Sequence, residues 1–260
     1  MKSLPGNPHL LIDHIRIKLF KQAGNKRFLN HGGKNETDAA VLFLLGMHRF
    51  IPGKPPEPCL IFTQRSQDVP QPGDLCFPGG GVSPYLDRLL AGLLKLPGFP
   101  LFHRSSRNGL NAGVTTAPRG MKRLLATSLR ESFEEMRLNP FRTVFLGPMA
   151  PEPFPLFNRT IYPMVAWTRG QKRFVLNREV ERVVYLPLRH ILHHTAYARF
   201  RAPAPVCEQP CVTYQNKTAR DLLWGVTYRI VMRFLDIVFK FKPPDTSLLP
   251  VVSKETGEKI

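Results

Sequence analysis

The sequence has few acidic residues: 19 Asp and Glu stand against 37 Lys and Arg in 260 residues, so the formal net charge is +18. A positive field of this kind raises the local concentration of anions, and it therefore favours phosphate-rich small molecules as partners. Weak, salt-dependent binding of nucleic acid is also compatible with the charge. Three of the scarce carboxylates nevertheless fall close together, in the stretch RESFEEM from Arg130 to Met136.

Long apolar runs are also lacking. The longest candidates, AAVLFLLGM and IVMRFLDIVF, fall short of the ~18–20 apolar residues of a membrane span, so we expect no membrane partner. The N-terminal stretch has no sustained apolar core before a small-residue cleavage site, so no secretory signal is expected. The cysteines form no CxxC pair, which is compatible with free thiols in a cytoplasmic protein.

The clustered carboxylates fall on a predicted helix. From Met121 to Leu138 the chain has no proline, its apolar residues follow helical spacing, and an Asn-Pro pair comes next. On one exposed face of this helix, Glu131 is a neighbour of both Glu134 and Glu135. Like charges repel, whereas Mg²⁺ or Mn²⁺ accepts hard oxygen ligands together with substrate phosphates. The turn is therefore either a divalent-metal site or a solvated acidic turn that Arg130 balances.

Two motifs taken together resemble the Nudix box, written G-x5-E-x7-R-E-U-x-E-E-x-G-U with U aliphatic. Phe77-Pro78-Gly79-Gly80 is similar to its beginning, and Arg130-Glu131-Ser132-Phe133-Glu134-Glu135 is similar to its end. Four further segments resemble the coenzyme A diphosphatase branch of this family: LIFTQRS, LGPMAPEPFPLFNRTIYPMVAW, NREVERVVYLPLRHIL and LLWGVTYRIVMRFLDIV. The resemblance covers roughly residues 37–238.

This resemblance implies a hydrolase that cleaves a diphosphate linkage in a nucleoside diphosphate-X substrate, with coenzyme A or its derivatives as candidates and Mg²⁺ or Mn²⁺ as cofactor. The implied metal ligands are Glu131, Glu134 and Glu135. The implied catalytic residues are Glu131, Arg130 and Glu134, with Arg130 orienting the carboxylates. The implied substrate-binding residues are Gly79, Gly80 and Arg65, and the candidate loop acids are Glu152 and Glu179.

The box departs from the family pattern in several places. Gly80 and Arg130 lie much further apart than in a continuous box, so an insertion of about 82–120 divides it. Counted back from Arg130, the first box Glu falls on Lys122, and we expect this acid to be missing. The last box Gly is Arg137, and we expect the helix to continue to Leu138.

These departures leave alternatives open. The Arg and His that the branch carries before Phe-Pro-Gly-Gly are absent, so the substrate is not fixed. A Nudix-like protein that binds a nucleotide or a protein without cleaving it, and a basic RNA-associated scaffold, are the two alternatives to an enzyme. An enzyme is favoured because all three carboxylates of the second motif are present.

The order of the predicted elements favours an α+β fold: an α/β/α sandwich with a mixed sheet, which is also the fold that the resemblance implies. The predicted strands are DAAVLFLLGMH, CLIFTQ, DLCF, TVFLGPM, TIYPMVAWT and RVVYLPL, and the predicted helices include His9–Gln22, the box helix and a long last helix. We expect an N-terminal helical extension (1–36), a hydrolase domain (37–241) and a flexible tail (242–260).

The insertion divides into two parts. Its first half is Leu-rich, with Ser83 as a predicted N-cap and Pro84 at the first helical position. Its second half is polar and basic and carries His103, Arg104 and Arg107. The insertion is either a decoration beside the core or an anion clamp over the metal site.

Overall fold

The computed structural model describes residues 7–22, 37–94, 119–171, 173–203, 206–215 and 220–253. A mixed sheet has the order β3-β2-β1-β7-β5, with β4 on β1, β6 on β7 and β8 on β2. Its strands are β1 (Asp38–His48), β2 (Glu57–Arg65), β3 (Leu75–Cys76), β4 (Gly79–Gly81), β5 (Thr143–Pro148), β6 (Glu152–Phe154), β7 (Arg159–Thr168) and β8 (Val180–Pro187). Strands β1 and β7 are parallel, and β1 is antiparallel to β2. The predicted α+β class with a mixed sheet is confirmed.

Strand β1 lies at the centre of this sheet and is buried on both faces. Ala40, Leu42 and Leu44 belong to one hydrophobic cluster, whereas Phe43 and Leu45 belong to the other. This alternation follows from the two-residue period of a strand. Burial on both faces explains why β1 has a nearly continuous apolar sequence.

Helices cover both faces of the sheet. The helices are α1 (Pro8–Gln22), α2 (Leu86–Leu93), α3 (Arg119–Met136), α4 (Leu188–Ile191) and α5 (Gly225–Phe239), and short 3₁₀ turns span Pro140–Arg142, Pro155–Phe157, His194–Ala196 and Thr246–Leu248. Helix α3 packs on one face, and α1 and α5 pack on the other. The predicted N-terminal helix, box helix and last helix are therefore present. In the part of the chain that the structure describes, no helix is both long and apolar enough to span a membrane.

A second, four-stranded sheet follows the first in the chain. It has the order β11-β10-β9-β12, with strands β9 (Tyr197–Pro203), β10 (Val206–Gln215), β11 (Arg220–Leu223) and β12 (Val251–Val252). The sequence analysis did not predict these strands. Strand β12 pairs in parallel with β9, and Val252 is only 1% exposed. The expectation of a flexible tail is thus wrong for these two residues, because their side chains and backbone complete the second sheet.

Helix α3 ends earlier than the sequence suggested. Its last residue is Met136, and Arg137 has φ +51°, in the left-handed region. The N–H of Arg137 donates to the carbonyl of Phe133 at 2.9 Å, and the N–H of Leu138 donates to the carbonyl of Ser132 at 3.3 Å. This hydrogen-bond pattern ends a helix and usually has glycine in the left-handed position. The expectation that the helix continues to Leu138 is therefore wrong.

Candidate active site

The carboxylates of Glu131 and Glu135 reach from α3 to the glycine strand β4. The N–H of Gly79 donates to Glu135 Oε1 at 3.3 Å. A Cβ atom on Gly80 would lie 2.5 Å from Glu131 Cδ, and one on Gly79 would lie 2.4 Å from the carbonyl oxygen of Ala40. At Gly79 a side chain would meet backbone, and at Gly80 it would displace the carboxylate of Glu131. The Pro-Gly-Gly segment therefore allows the sheet and the acidic helix to come into direct contact.

The three glutamates differ in exposure. The side chain of Glu134 is 49% exposed, whereas Glu135 is buried, at 9%. The expectation of one exposed acidic face is therefore wrong for Glu135. The pKa of Glu135 is raised to about 8: burial is the main cause and the charges of Glu131 and Glu179 add to it, while the Gly79 N–H and the charge of Arg65 lower the pKa. Burial also raises the pKa of Glu131, against the lowering effect of Arg130.

Arg130 connects the acidic residues of the site. Its Nη1 lies 2.9 Å from Glu131 Oε1 and 3.2 Å from Glu134 Oε2, and its Nη2 donates to the carbonyl of Gly81 at 3.1 Å. Its Nε donates to Asp87 Oδ1 at 2.8 Å. The guanidinium therefore holds two of the three glutamates and the end of β4 in one arrangement.

Asp87 is a residue of the site that the sequence analysis missed. It is fully buried at the start of α2, and it accepts hydrogen bonds from Thr127 Oγ1 at 2.7 Å and from the Ser83 N–H at 2.7 Å, in addition to Arg130. Asp87 follows Gly81 at the spacing G-x5-acid, whereas the sequence analysis counted back from Arg130 and reached Lys122. That count did not consider Asp87, which the structure places against Arg130.

The first half of the insertion is thus part of the site. Helix α2 begins at Leu86, and its N-cap residue Tyr85 makes no side-chain capping bond, so Ser83 is not the N-cap that the sequence predicted. The backbone N–H of Ser83 is bound by Asp87 instead. His103, Arg104 and Arg107, the predicted anion-clamp residues, lie outside the described residues.

A cavity of about 660 Å³ adjoins the glycine strand. Gly79, Gly80 and Arg65, the three predicted substrate-binding residues, all line it. Its wall also carries further arginines and several aromatic side chains: Arg159, Arg229, Phe77, Phe154, Phe157 and Trp224. A cavity of this size is typical of small-molecule sites. The combination of cationic and aromatic groups suits a phosphate-bearing ligand with an apolar or planar portion.

The two candidate loop acids have different surroundings. Glu152 is 4% exposed, and its carboxylate pairs with Arg229 Nε at 2.7 Å and Arg233 Nη2 at 2.8 Å. Glu179 is exposed, and its charge contributes to the raised pKa of Glu135. The structure therefore brings Glu179 near the carboxylates of α3, whereas Glu152 joins β6 to α5.

The donor chemistry of the site fits a hard divalent cation. Glu131, Glu134 and Glu135 offer carboxylate oxygens, which Mg²⁺ and Mn²⁺ prefer. The raised pKa of Glu135 reflects burial together with neighbouring negative charge, which a cation would offset. Among the described residues, no group of three or more His, Cys, Asp and Glu side chains is already arranged to hold a metal ion.

Neither protein-family models nor curated proteins match this chain. Solved structures match over part of this chain. A Nudix hydrolase from M. smegmatis has 15% identity and a TM-score of 0.35, with 58% of this chain and 71% of that chain covered. An Ap4A hydrolase from C. elegans has 13% identity and a TM-score of 0.37, with 59% of this chain and 83% of that chain covered. A Nudix hydrolase from Alicyclobacillus acidocaldarius has 16% identity and a TM-score of 0.37, with 61% of this chain and 82% of that chain covered. Similarities this low leave the function to be inferred from the contacts of the site.

Proposed function

We propose that this protein is a Nudix-type hydrolase that uses Mg²⁺ or Mn²⁺ to cleave the diphosphate linkage of a nucleoside diphosphate-X substrate. One observation carries the proposal: Glu131 and Glu135 contact the two glycines that line a cavity of about 660 Å³. The glycine strand thus lies between these carboxylates and a basic, partly aromatic cavity; among the described residues, the lining of that cavity includes the glycines but not the glutamates. A cavity of this size supports a small phosphate-rich substrate more than a nucleic acid, whose binding surface is extended.

Glu131, Glu134 and Glu135 are the residues that would hold the cation. When bound, a divalent metal neutralises charge on the diphosphate and lowers the pKa of a bound water. Phosphoryl transfer depends mainly on positioning and charge stabilisation. Arg130 supplies positioning, because it contacts both Glu131 and Glu134, and Asp87 holds the guanidinium in place.

The remaining residues act on the substrate and on the attacking water. Glu131 is the candidate base, since its carboxylate lies against Gly80 at the wall of the cavity. Glu179 is the second candidate, because it is exposed and its charge acts on Glu135. Arg65 lines the cavity and interacts with Glu135, so it can contact a substrate phosphate next to the carboxylates.

Coenzyme A and its derivatives are the first substrates to examine, on the sequence resemblance alone. The absence of the expected Arg and His before Phe77 favours cleavage that is not exclusive to them. A Mg²⁺-dependent hydrolysis screen should compare coenzyme A, dinucleoside polyphosphates, ADP-ribose, NADH and nucleoside triphosphates. Hydrolysis of a nucleoside triphosphate or a dinucleotide without cleavage of coenzyme A would retain the Nudix assignment and reject the branch.

Glu134→Gln and Glu135→Gln test the carboxylates directly. Each should lower metal-dependent hydrolysis on the order of 100-fold, because a lost metal ligand removes transition-state stabilisation. Each should also weaken binding of Mn²⁺ measured by calorimetry without substrate. Glu181→Gln, an exposed acid on β8, is the matched control and should change neither quantity. Activity near that of the wild type in both glutamate variants would reject the proposed function.

A second candidate is a Nudix-like protein that binds a nucleotide without cleaving it. One observation favours it: Arg130 already neutralises Glu131 and Glu134, and within the described ranges the acids are not arranged as a metal cluster. Metal titration separates the two candidates. An enzyme should bind Mg²⁺ or Mn²⁺ at millimolar concentration or below, whereas the alternative predicts nucleotide binding that is unaffected by a chelator.

A further inference from the structure

The buried carboxylate of Glu152 lies between two arginines of α5. Its Oε1 accepts a hydrogen bond from Arg229 Nε at 2.7 Å. Arg233 Nη2 lies 2.8 Å from the other oxygen, Oε2, in an ion pair that lacks the alignment of a hydrogen bond. Arg229 and Arg233 are four residues apart on the helix, where like charges repel. Glu152 therefore supplies the negative charge that allows both arginines to lie against β6.

Backbone carbonyls hold the same two arginines. Arg229 Nη2 donates to the carbonyl of Pro153 at 3.0 Å. Arg233 Nη1 donates to the carbonyls of Ala150 and Pro151 at 3.3 and 3.1 Å. Each guanidinium is thus held through two of its nitrogens, which fixes its plane. A side chain that is fixed in this way loses little conformational freedom when a ligand binds to it.

The two arginines differ in their relation to the cavity. Among the described residues, the cavity lining includes Arg229 but neither Glu152 nor Arg233. The side chain of Arg229 is 46% exposed, and its contacts with Glu152 and Pro153 use Nε and Nη2 but not Nη1. A guanidinium suits phosphate oxygens because its donors form a rigid fork. Arg229 can therefore bind a phosphate oxygen while Glu152 continues to hold it.

We propose that Glu152 is a positioning residue, which fixes Arg229 at the cavity wall for contact with a phosphate oxygen of a bound nucleotide. The inference rests on the proposed function for the reaction, but it uses none of the carboxylates of α3. It also gives Glu152 a role other than that of a general base. A base must reach the attacking water, whereas Glu152 lies outside the lining and both its oxygens already contact arginine.

The first test measures binding of adenosine diphosphate by calorimetry in the presence of a chelator, so it depends on neither metal nor hydrolysis. Arg229→Met should weaken binding about tenfold, since a charge-assisted hydrogen bond is lost. Glu152→Gln should weaken binding about fivefold, because Arg229 is then no longer fixed before the ligand binds. The double variant should bind at most about twofold more weakly than Arg229→Met alone, because Glu152 acts through Arg229.

Arg233→Met is the matched control. It removes the other arginine that contacts Glu152, but it leaves the hydrogen bond between Glu152 and Arg229. Its affinity for adenosine diphosphate should stay within about twofold of that of the wild type, because Arg233 lies outside the cavity lining. Urea unfolding shows which variants are folded. If Glu152→Gln does not fold, Glu152→Asp replaces it, since this variant keeps the charge, retracts the carboxylate and should also weaken binding.

Steady-state kinetics separates a positioning residue from a base. With a substrate identified in the Mg²⁺-dependent screen, Glu152→Gln should raise KM about fivefold and change kcat less than about twofold. A loss of kcat on the order of 100-fold would show that Glu152 is the base and would overturn the proposal.

Three binding results would also overturn the proposal. They are no binding of adenosine diphosphate by the wild type, an affinity that Glu152→Gln leaves unchanged, and a loss in Arg233→Met as large as that in Glu152→Gln. The expected binding losses in a protein without metal-dependent hydrolysis would reject the proposed function while supporting the contact between Arg229 and a phosphate. The two failures are therefore distinguishable.

Discussion

Replacing Asp87 with Asn removes the buried negative charge that holds Arg130. Asp87 is fully buried, and its carboxylate accepts hydrogen bonds from Arg130 Nε, Thr127 Oγ1 and the Ser83 N–H at 2.7–2.8 Å. Breaking a buried ion pair from one side typically costs about 3–5 kcal/mol, because the other charge is left uncompensated. We expect about 3 kcal/mol, the lower end, since Glu131 and Glu134 still contact the guanidinium.

The assay for Asp87→Asn is equilibrium unfolding in urea, followed by the fluorescence of the two tryptophans. Glu208→Gln is the matched control, because Glu208 pairs with Arg199 and Arg201 at the surface and is 32% exposed. Exposed pairs contribute little, so the control should lose less than about 1 kcal/mol. A loss in Asp87→Asn no larger than that of the control would refute the assignment of Asp87 as the buried partner of Arg130.

Three further predictions concern the same helix and its neighbours. Without metal, the pKa of Glu135 is raised from 4.5 to about 8. Between these pH values the folded state therefore binds more protons than the unfolded state, and the unfolding free energy should fall as the pH rises. The unfolding free energy should fall by at most about 5 kcal/mol. Urea titrations in chelator should show that Glu135→Gln removes most of this fall. An unchanged dependence of the unfolding free energy on pH in this variant would contradict the raised pKa of Glu135. Arg137→Gly should raise the unfolding free energy by about 1 kcal/mol, because Arg137 has φ +51°, and Arg137→Ala should show no such gain. Equal effects of the two changes would mean that the loss of the Arg137 guanidinium from its place over the Phe133 ring, 4.8 Å from the ring centroid, decides the stability. Replacing residues 95–118 with a short Gly-Ser linker should leave a cooperatively folded protein, because Asp87 and α2 remain; loss of cooperative unfolding would show that this segment is needed for the core.

The main elements of the fold could be predicted from local patterns. Strands β1, β2, β5, β7 and β8 each contain an apolar run, and α3 and α5 follow helical spacing without internal proline. Such patterns are visible in the sequence because each element buries most of its own apolar side chains. The second sheet was missed, since β9 and β10 contain arginine, glutamate and proline. Their few apolar residues, such as Phe200 and Cys211, are buried in a small cluster with residues of β11 and β12 that lie far away in the chain.

The clustered glutamates could also be found from the sequence, because helical spacing alone makes Glu131, Glu134 and Glu135 neighbours. Their roles remain predictions. What the sequence could not distinguish is that Glu135 is buried and Glu134 is half exposed, since that difference depends on the position of β4 against α3. Two carboxylates one residue apart in the chain therefore have different electrostatic environments.

The sequence by itself determined the class of fold, the acidic helix and the need for glycine where the chain turns beside it. Only the tertiary structure decided which acid holds Arg130, where α3 ends and which residues form the cavity. The spacing from Gly81 can single out Asp87 as an acid of interest. It carries no information about the pairing of Asp87 with Arg130, because a long stretch of chain separates the two residues. The pairing is fixed instead by burial, because a guanidinium enclosed between α2, α3 and β4 requires a carboxylate within hydrogen-bonding distance, and the packing of α2 on α3 brings Asp87 there.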